Sequence, residues 1–340
     1  MAHEIWLWIK EQVARFFGFL GRQIVRLWRY LLGWLSTVSG STWRKVAIGM
    51  PVAFIVYILI GMPFAHRIDD SLEATPRTPA GGSQVVTTLA YLVKREAVDN
   101  NWTPNDPIFL PGWWIDNTPN FQTGLMTAVA LFSFELRDQL GRMRGSSAKD
   151  DDLVLASDNL SKAPDRWVFD FSTSLLPITP THTHYKDGWK RLEAYNARLL
   201  SGDAVFERRA DNLQATISRI ASDIGGASDA LDEYIADNAG GMGIDFGADD
   251  LFYRVKGQMY AYHLILDALK HDFADVIADR ELGPLYDALL ESMRATAQLD
   301  PVMVSNGEAS GVIPNHLSVQ GFYLLRARTQ LREIGDILLK

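Results

Sequence analysis

Residues 46–65, VAIGMPVAFIVYILIGMPFA, run for twenty positions without a charge. As a helix rising about 1.5 Å per residue they would reach about 30 Å, the thickness of a bilayer's hydrocarbon core. Arg44 and Lys45 close one side; His66, Arg67, Asp69 and Asp70 close the other. Pro51 falls in the first turns, where a missing N–H costs least, and Pro63 falls at the far end. The pattern predicts one transmembrane helix. A cleaved signal peptide and a buried core helix are the competing readings. The long segment ahead of the span, and Pro63 where a small residue would be wanted before Ala65, oppose the signal peptide.

Upstream the pattern turns amphipathic. With residues 5–35 on a helical wheel, Glu11, Arg15, Arg22, Arg26 and Arg29 fall within about 60° of one another. Ile9, Val13, Phe16, Leu20, Ile24, Leu27, Leu31 and Trp34 fall opposite. Trp6, Trp8, Trp28, Trp34 and Trp43 are half of the chain's ten tryptophans. An aromatic apolar face against an Arg face predicts a helix lying in the membrane interface, with Arg15, Arg22, Arg26, Arg29 and Trp34 as lipid contacts. Each Arg on anionic lipid is worth about 1 kcal/mol. Packing on a partner protein is the alternative. Gly18, Gly21 and Gly33 weaken the helix, and Trp8 and Phe19 sit off its apolar face.

Beyond the span, Pro76, Pro79, Gly81 and Gly82 break any regular pattern, so residues 66–84 read as a flexible linker, with Ser83 placed to cap a helix. Residues 85–340 then read as one α-helical domain. Apolar steps of three and four predict helices over 84–99, 120–144 and 185–200. From Phe206 to Tyr234 those steps alternate without a break, the spacing of a supercoiled seam, although Gly225–Gly226 interrupts the propensity. Val255 to Val276 repeats the pattern; Leu285–Met293 and Leu317–Leu338 give two more helices. The two long stripes are expected to pair with each other inside the chain, or else between copies. Trp167–Phe171 is the single strand candidate.

Charge divides at the span. The first 45 residues carry seven Lys/Arg and two Glu, net +5; the residues after it carry 26 Lys/Arg and 39 Asp/Glu, net −13. The basic side is expected in the cytoplasm and the acidic domain in the periplasm. A domain of net −13 opposes nucleic-acid binding. The cysteine count is zero, which removes thiol catalysis and Cys-based metal ligation, while a domain of this size needs no disulfides. The cytoplasmic part is too short for a folded output domain.

Candidate chemistry is sparse. The loop 102–122, WTPNDPIFLPGWWIDNTPNFQ, holds Trp102, Phe109, Trp113, Trp114 and Phe121 spaced by four prolines. These aromatics are candidate anchors for a partner, a glycan or the outer membrane interface; the plain alternative is a loop-borne plug on the helical core. The single span followed by this loop and the run GWWIDNTPNFQTGLMTAVALFSFELRDQLGR resembles a family of uncharacterised bacterial inner-membrane proteins defined only as a domain of unknown function. The resemblance covers most of the chain and implies a bacterial source and an inner-membrane anchor. It brings no activity and no catalytic residues.

His182 and His184, with Asp187 near, would face one way in an extended segment, as metal ligands need, but a solvated loop is the simpler reading. His263, Asp267, His271 and Asp275 rotate from the apolar stripe onto the solvent face, and only His263 is placed to reach the interior. Gly240, Gly241, Gly243 and Gly247 do not form a phosphate loop, and Asp245, Asp249 and Asp250 lack calcium-loop spacing; Asp249 or a neighbour should cap the next helix. Asp150, Asp151 and Asp152 read as a wet loop, and Ser172 and Ser174 lack a nucleophile elbow.

The expectation is therefore an all-α protein: an interfacial helix, one transmembrane helix, a linker and a bundle-like domain. Its expected role is a non-enzymatic scaffold or adaptor of the cell envelope, with no cofactor, and with the bilayer and a protein partner or a second copy as its contacts. The alternative is a ligand-binding protein or enzyme with a site between helices, using Tyr262, His263 or the His182/His184 pair.

Overall fold

The computed structural model describes residues 26, 29, 33, 40–72, 75–142, 148–170, 173–238, 245–301, 303–307 and 314–340. Of the expected lipid contacts, Arg15, Arg22 and Trp34 lie outside the described residues, while Arg26 and Arg29 are helical and exposed. The chain divides into two units, Met1–Tyr57 and Ile58–Lys340. Helix α1, Gly40–Ala65, contains the uncharged run and is long and apolar enough to cross a membrane. Ile48, Met50, Val52, Ile55, Leu59 and Ile60 are all exposed on it, which is unlike a core helix, whose apolar residues would be covered by protein.

Nine more α-helices follow among the described residues: α2 Gln84–Lys94, α3 Asn117–Glu135, α4 Asp151–Leu160, α5 Thr181–Ser201, α6 Ala210–Asp237, α7 Phe246–Asp272, α8 Ala274–Asp279, α9 Gly283–Ala297 and α10 His316–Leu338. Helices α2 and α3 each end in a π turn, Arg95–Asp99 and Leu136–Leu140; α2 thereby reaches residue 99 as its apolar pattern predicts, while α3 starts three residues earlier than expected and ends at Leu140, short of the expected 144. No strand occurs among the described residues, and the one bridge pairs Asn306 with Asn315. At the expected strand, Trp167 and Phe169 do share a side, with ring centroids 5.5 Å apart, but no neighbouring strand accepts them. Instead the Ile178 N–H donates to the Val168 carbonyl and closes a loop.

Helix α7 is the centre of the domain. From Phe252 to Leu269 nearly every side chain is buried, as expected of a helix covered on all sides. At about 1.5–3 kcal/mol for each large apolar side chain, this one helix supplies much of the driving force for folding. The pairing of the two long stripes differs from expectation: α7 packs chiefly along α3, and α6 packs chiefly along α10. A heptad stripe shows that a helix has a seam and leaves the partner open. The α3–α7 crossing is close because Gly124 and Gly257 face it; a Cβ on either would strike the other helix's backbone, at Arg254 and Phe121 respectively. Helix α6 runs unbroken through Gly225–Gly226, where the Arg328 guanidinium of α10 fills the space a side chain would take at Gly225.

Caps locate the helix starts. Ser83 Oγ accepts from Val86 N, and Asp272 at the end of α7 accepts from Ser83 Oγ (2.7 Å), Gln84 N (2.9 Å) and Val85 N (3.0 Å). One carboxylate, nearly buried, thus satisfies the orphan donors of α2 and ties its start to the end of α7. Asp150–Asp152 are not a wet loop. Asp150 caps α4, and the Arg198 guanidinium bridges Asp150 and Asp152 at 2.6 and 2.7 Å. Asp245, rather than Asp249, caps α7, accepting from Ala248 N at 3.1 Å.

Candidate membrane-proximal site

Residues 66–72, directly after α1, have no regular structure, yet they are strapped to the domain. Ile68 and Leu72 pack against the core, and the Tyr260 hydroxyl donates to the Ser71 carbonyl at 2.8 Å. Asp69 and Asp70 each meet a buried cation. Asp70 Oδ2 lies 2.8 Å from Lys256 Nζ, and Asp69 Oδ2 lies 3.6 Å from Arg95 Nη1. Farther along, Thr78 N donates to Gln84 Oε1 at 3.0 Å, and the Thr78 hydroxyl meets that of Thr87.

Arg95 belongs to a buried network at the π turn that ends α2. Its Nε donates to Glu96 Oε1 at 2.7 Å and its Nη1 to the Tyr260 hydroxyl at 2.6 Å. Gln122 Nε2 donates to Glu96 Oε2 at 3.1 Å, and Gln122 Oε1 accepts from the Thr103 amide and hydroxyl. The guanidinium carbon also lies 5.0 Å from the Tyr260 ring centre. Burial opposes the Arg95 charge, but Glu96, Tyr260 and Asp69 outweigh it and push its pKa up. Burial pushes the Tyr260 hydroxyl up to about 12. Arg95 Nη2 is buried and makes no hydrogen bond. Above these groups opens a polar cleft of about 530 Å³, lined by His66, Arg67, Asp69, Asp70, Arg95 and Lys256 among others. Buried, oppositely charged groups around an unpaired donor can hold a small anion or dipole.

The aromatic loop separates into two parts. Trp102 and Phe121 are core residues: Trp102 stands edge-on to Tyr185 at 4.9 Å and donates from Nε1 to the Pro164 carbonyl, and Phe121, inside α3, packs on Tyr260 at 5.7 Å. Phe109, Trp113 and Trp114 are exposed. A short 3-10 turn, Pro111–Trp114, presents the two tryptophans edge-to-face at 5.0 Å, and Trp114 Nε1 donates to the Ile108 carbonyl.

The histidine pair sits on helix α5, which begins at Thr181, immediately after Pro180. Two residues apart on a helix is about 200° of rotation, so the rings do not face one way. His184 Nδ1 pairs with Asn159 Oδ1 at 2.9 Å and His182 is exposed. Burial and nearby cations lower the pKa of both. His263 Nδ1 pairs with the Leu290 carbonyl at 3.1 Å, and the fully buried Tyr262 donates to Asp223 at 2.9 Å. His271 and Asp275 are exposed. Gly240, Gly241, Gly243 and Ser172 lie outside the described residues. Among the described residues no group of three or more His, Asp or Glu is placed to hold a metal ion.

Sequence reasoning missed Arg95, Glu96 and Lys256. The available signal was charge inside an apolar seam: Lys256 lies between Val255 and Met259 in the α7 stripe, and Glu96 lies three residues after Val93 in that of α2.

No curated protein and no solved structure matches the chain. One family model does match, over residues 69–241 and 245–340, so the match begins at the strap's Asp69 and spans the whole helical domain. The chain therefore belongs to DUF2333, a family described as uncharacterized proteins conserved in bacteria.

Proposed function

We propose that the protein is a membrane-tethered adaptor of the bacterial cell envelope, anchored in the inner membrane by α1, with its helical domain periplasmic, and that it binds a protein partner rather than catalysing a reaction. The charge partition of +5 before the span and −13 after it supports this topology. The observation that carries the binding role is the outer face of α10. Val319, Phe322 and Leu325 recur every three residues there at 45, 62 and 57 % exposure, while Leu317, Leu324 and Leu331 bury on the opposite side. Three large apolar side chains on the otherwise polar, solvent-facing side of the helix form the groundwork of a helix-to-helix contact. Arg326 and Arg332, exposed beside them, fit a partner whose apolar segment is flanked by acidic residues.

Native mass spectrometry of the full chain, extracted in mild detergent, tests this reading. The expected mass exceeds the 38.1 kDa of one chain by a second protein, and Phe322→Asp with Leu325→Asp should remove the excess. A bare monomer from the unsubstituted chain would overturn it.

One observation favours a second reading, a domain that binds a small anionic ligand: the unpartnered Arg95 Nη2 beside the cleft that Lys256 also lines. A reproducible small added mass on the monomer, lost in Arg95→Met, supports that reading instead.

A further inference from the structure

We infer that the loops around Pro111 and Leu175 form a lipid-docking surface, seated in the interfacial zone of the leaflet through which α1 leaves the bilayer. The inference is independent of the adaptor reading and rests only on α1 as a membrane anchor.

Position is the first argument. Pro111 packs so tightly on Gly61 that a Cβ at Gly61 would collide with its ring. Gly61 lies one turn before Ala65, the last residue of the apolar run, and both residues of this contact belong to the same structural unit. A bilayer that holds the last turns of α1 therefore meets whatever surrounds Pro111.

Chemistry is the second. Residues 107–115, PIFLPGWWI, contain no charge, although the chain after the span is net −13. Ile108, Phe109, Trp113 and Trp114 all point outward, and the Trp114 indole N–H is already bonded within the loop. Tryptophan is the side chain most at home at headgroup level, where its ring is half dry.

Continuity is the third. Phe109 stands edge-on to Trp167 at 5.7 Å, and Trp167 contacts Phe169 at 5.5 Å, so the aromatic surface passes from the first loop onto the second. The second loop, closed by the Ile178–Val168 hydrogen bond, carries Leu175 and Leu176 at 87 and 73 % exposure, the two most exposed leucines among the described residues. Residues 171–181 are also uncharged. Two adjacent loops with outward aromatics and leucines, each carrying an uncharged run (107–115 and 171–181), the first of them fixed beside the end of a span, match the composition of an interfacial anchor.

The chain has no cysteine, so single labels are direct. Spin labels would be placed at Ile108→Cys and Leu176→Cys, with Thr329→Cys on α10 as the exposed control. The full chain would be reconstituted in vesicles of phosphatidylethanolamine and phosphatidylglycerol. The ratio of oxygen accessibility to accessibility for a water-soluble nickel chelate should be several-fold higher at 108 and 176 than at 329. Equal ratios in protein that floats with the vesicles would overturn the docking alone; protein that does not float would remove the anchor, and the proposal with it. Quenching of the unlabelled protein by lipids brominated near the headgroup gives a second readout. Trp113→Phe with Trp114→Phe should reduce it, and undiminished quenching would count against the proposal.

Discussion

Lys256 Nζ lies 2.8 Å from Asp70 Oδ2, joining a side chain 1 % exposed on the central helix to one 36 % exposed on the strap. The two halves of the pair are not equivalent. Taking away the lysine leaves a carboxylate that water can reach. Taking away the carboxylate leaves a buried ammonium whose remaining carboxylate, Asp300, is 3.7 Å away and mostly solvated. We expect Asp70→Asn to destabilise the domain by about 2 kcal/mol, below the range for a fully buried pair because Asp70 is partly screened. Lys256→Met should cost less than about 1 kcal/mol, since its alkyl chain already packs in the core. Denaturant midpoints of the full chain in detergent check the order; a lysine variant weaker than the aspartate variant would contradict it.

The α3–α7 crossing makes a sharper prediction. Gly124 and Gly257 each face the other helix's backbone, so neither Arg254 nor Phe121 can yield by rotating a side chain. Gly124→Ala should destabilise by about 3 kcal/mol, the upper part of the range for overpacking, despite alanine's better helix propensity. Gly257→Ala should cost a similar amount. Both substitutions demand the same separation of the helices, so the double variant should fall well short of the sum of the two losses. Thermal unfolding of the four proteins provides the cycle.

Asp106 supplies a pH dependence within the aromatic loop. It lies against Gly112, and burial pushes its carboxyl up from 3.8 to about 6. A raised carboxyl binds its proton more tightly when folded than when unfolded. Between those two values the folded state holds the extra proton, so this group's contribution to stability falls as pH rises through the window and is lowest above it. Asp106→Asn should therefore be more stable than the unsubstituted protein at pH 7, by no more than about 1 kcal/mol because the group is only half buried. The difference should shrink as pH approaches 4, a trend that denaturant midpoints at the two pH values read directly.

The long helices could be read from periodicity because their apolar residues keep step for several turns, as Val86–Leu89–Val93 and Leu317–Leu324–Leu331 do. Helix α4 was hidden because its apolar face amounts to Leu153, Ala156 and Leu160, behind three aspartates that also suit a loop. The signal was present in those aspartates: an Asp cap followed by acids in the first turn marks a helix start. The helix pairing and the polar cleft were not legible, for related reasons. Arg95 and Lys256 become neighbours of one strap only after α2 and α7 pack, and nothing local to either residue specifies Asp69 or Asp70. The aromatic loop was visible as a feature, but its division into buried Trp102 and exposed Trp113 depends on where α5 lies, through the Trp102–Tyr185 contact.

The strapped segment also sets a working radius. A free coil as long as residues 66–83 would let the domain range over roughly 20–25 Å from its anchor. Held at Ile68, Asp69, Asp70, Leu72 and Thr78, the segment gives up that slack. If α1 crosses a membrane, as proposed above, a ligand or neighbour would meet the domain only close to the anchor's own position, and encounter would depend on lateral diffusion of the anchor rather than on the reach of an arm.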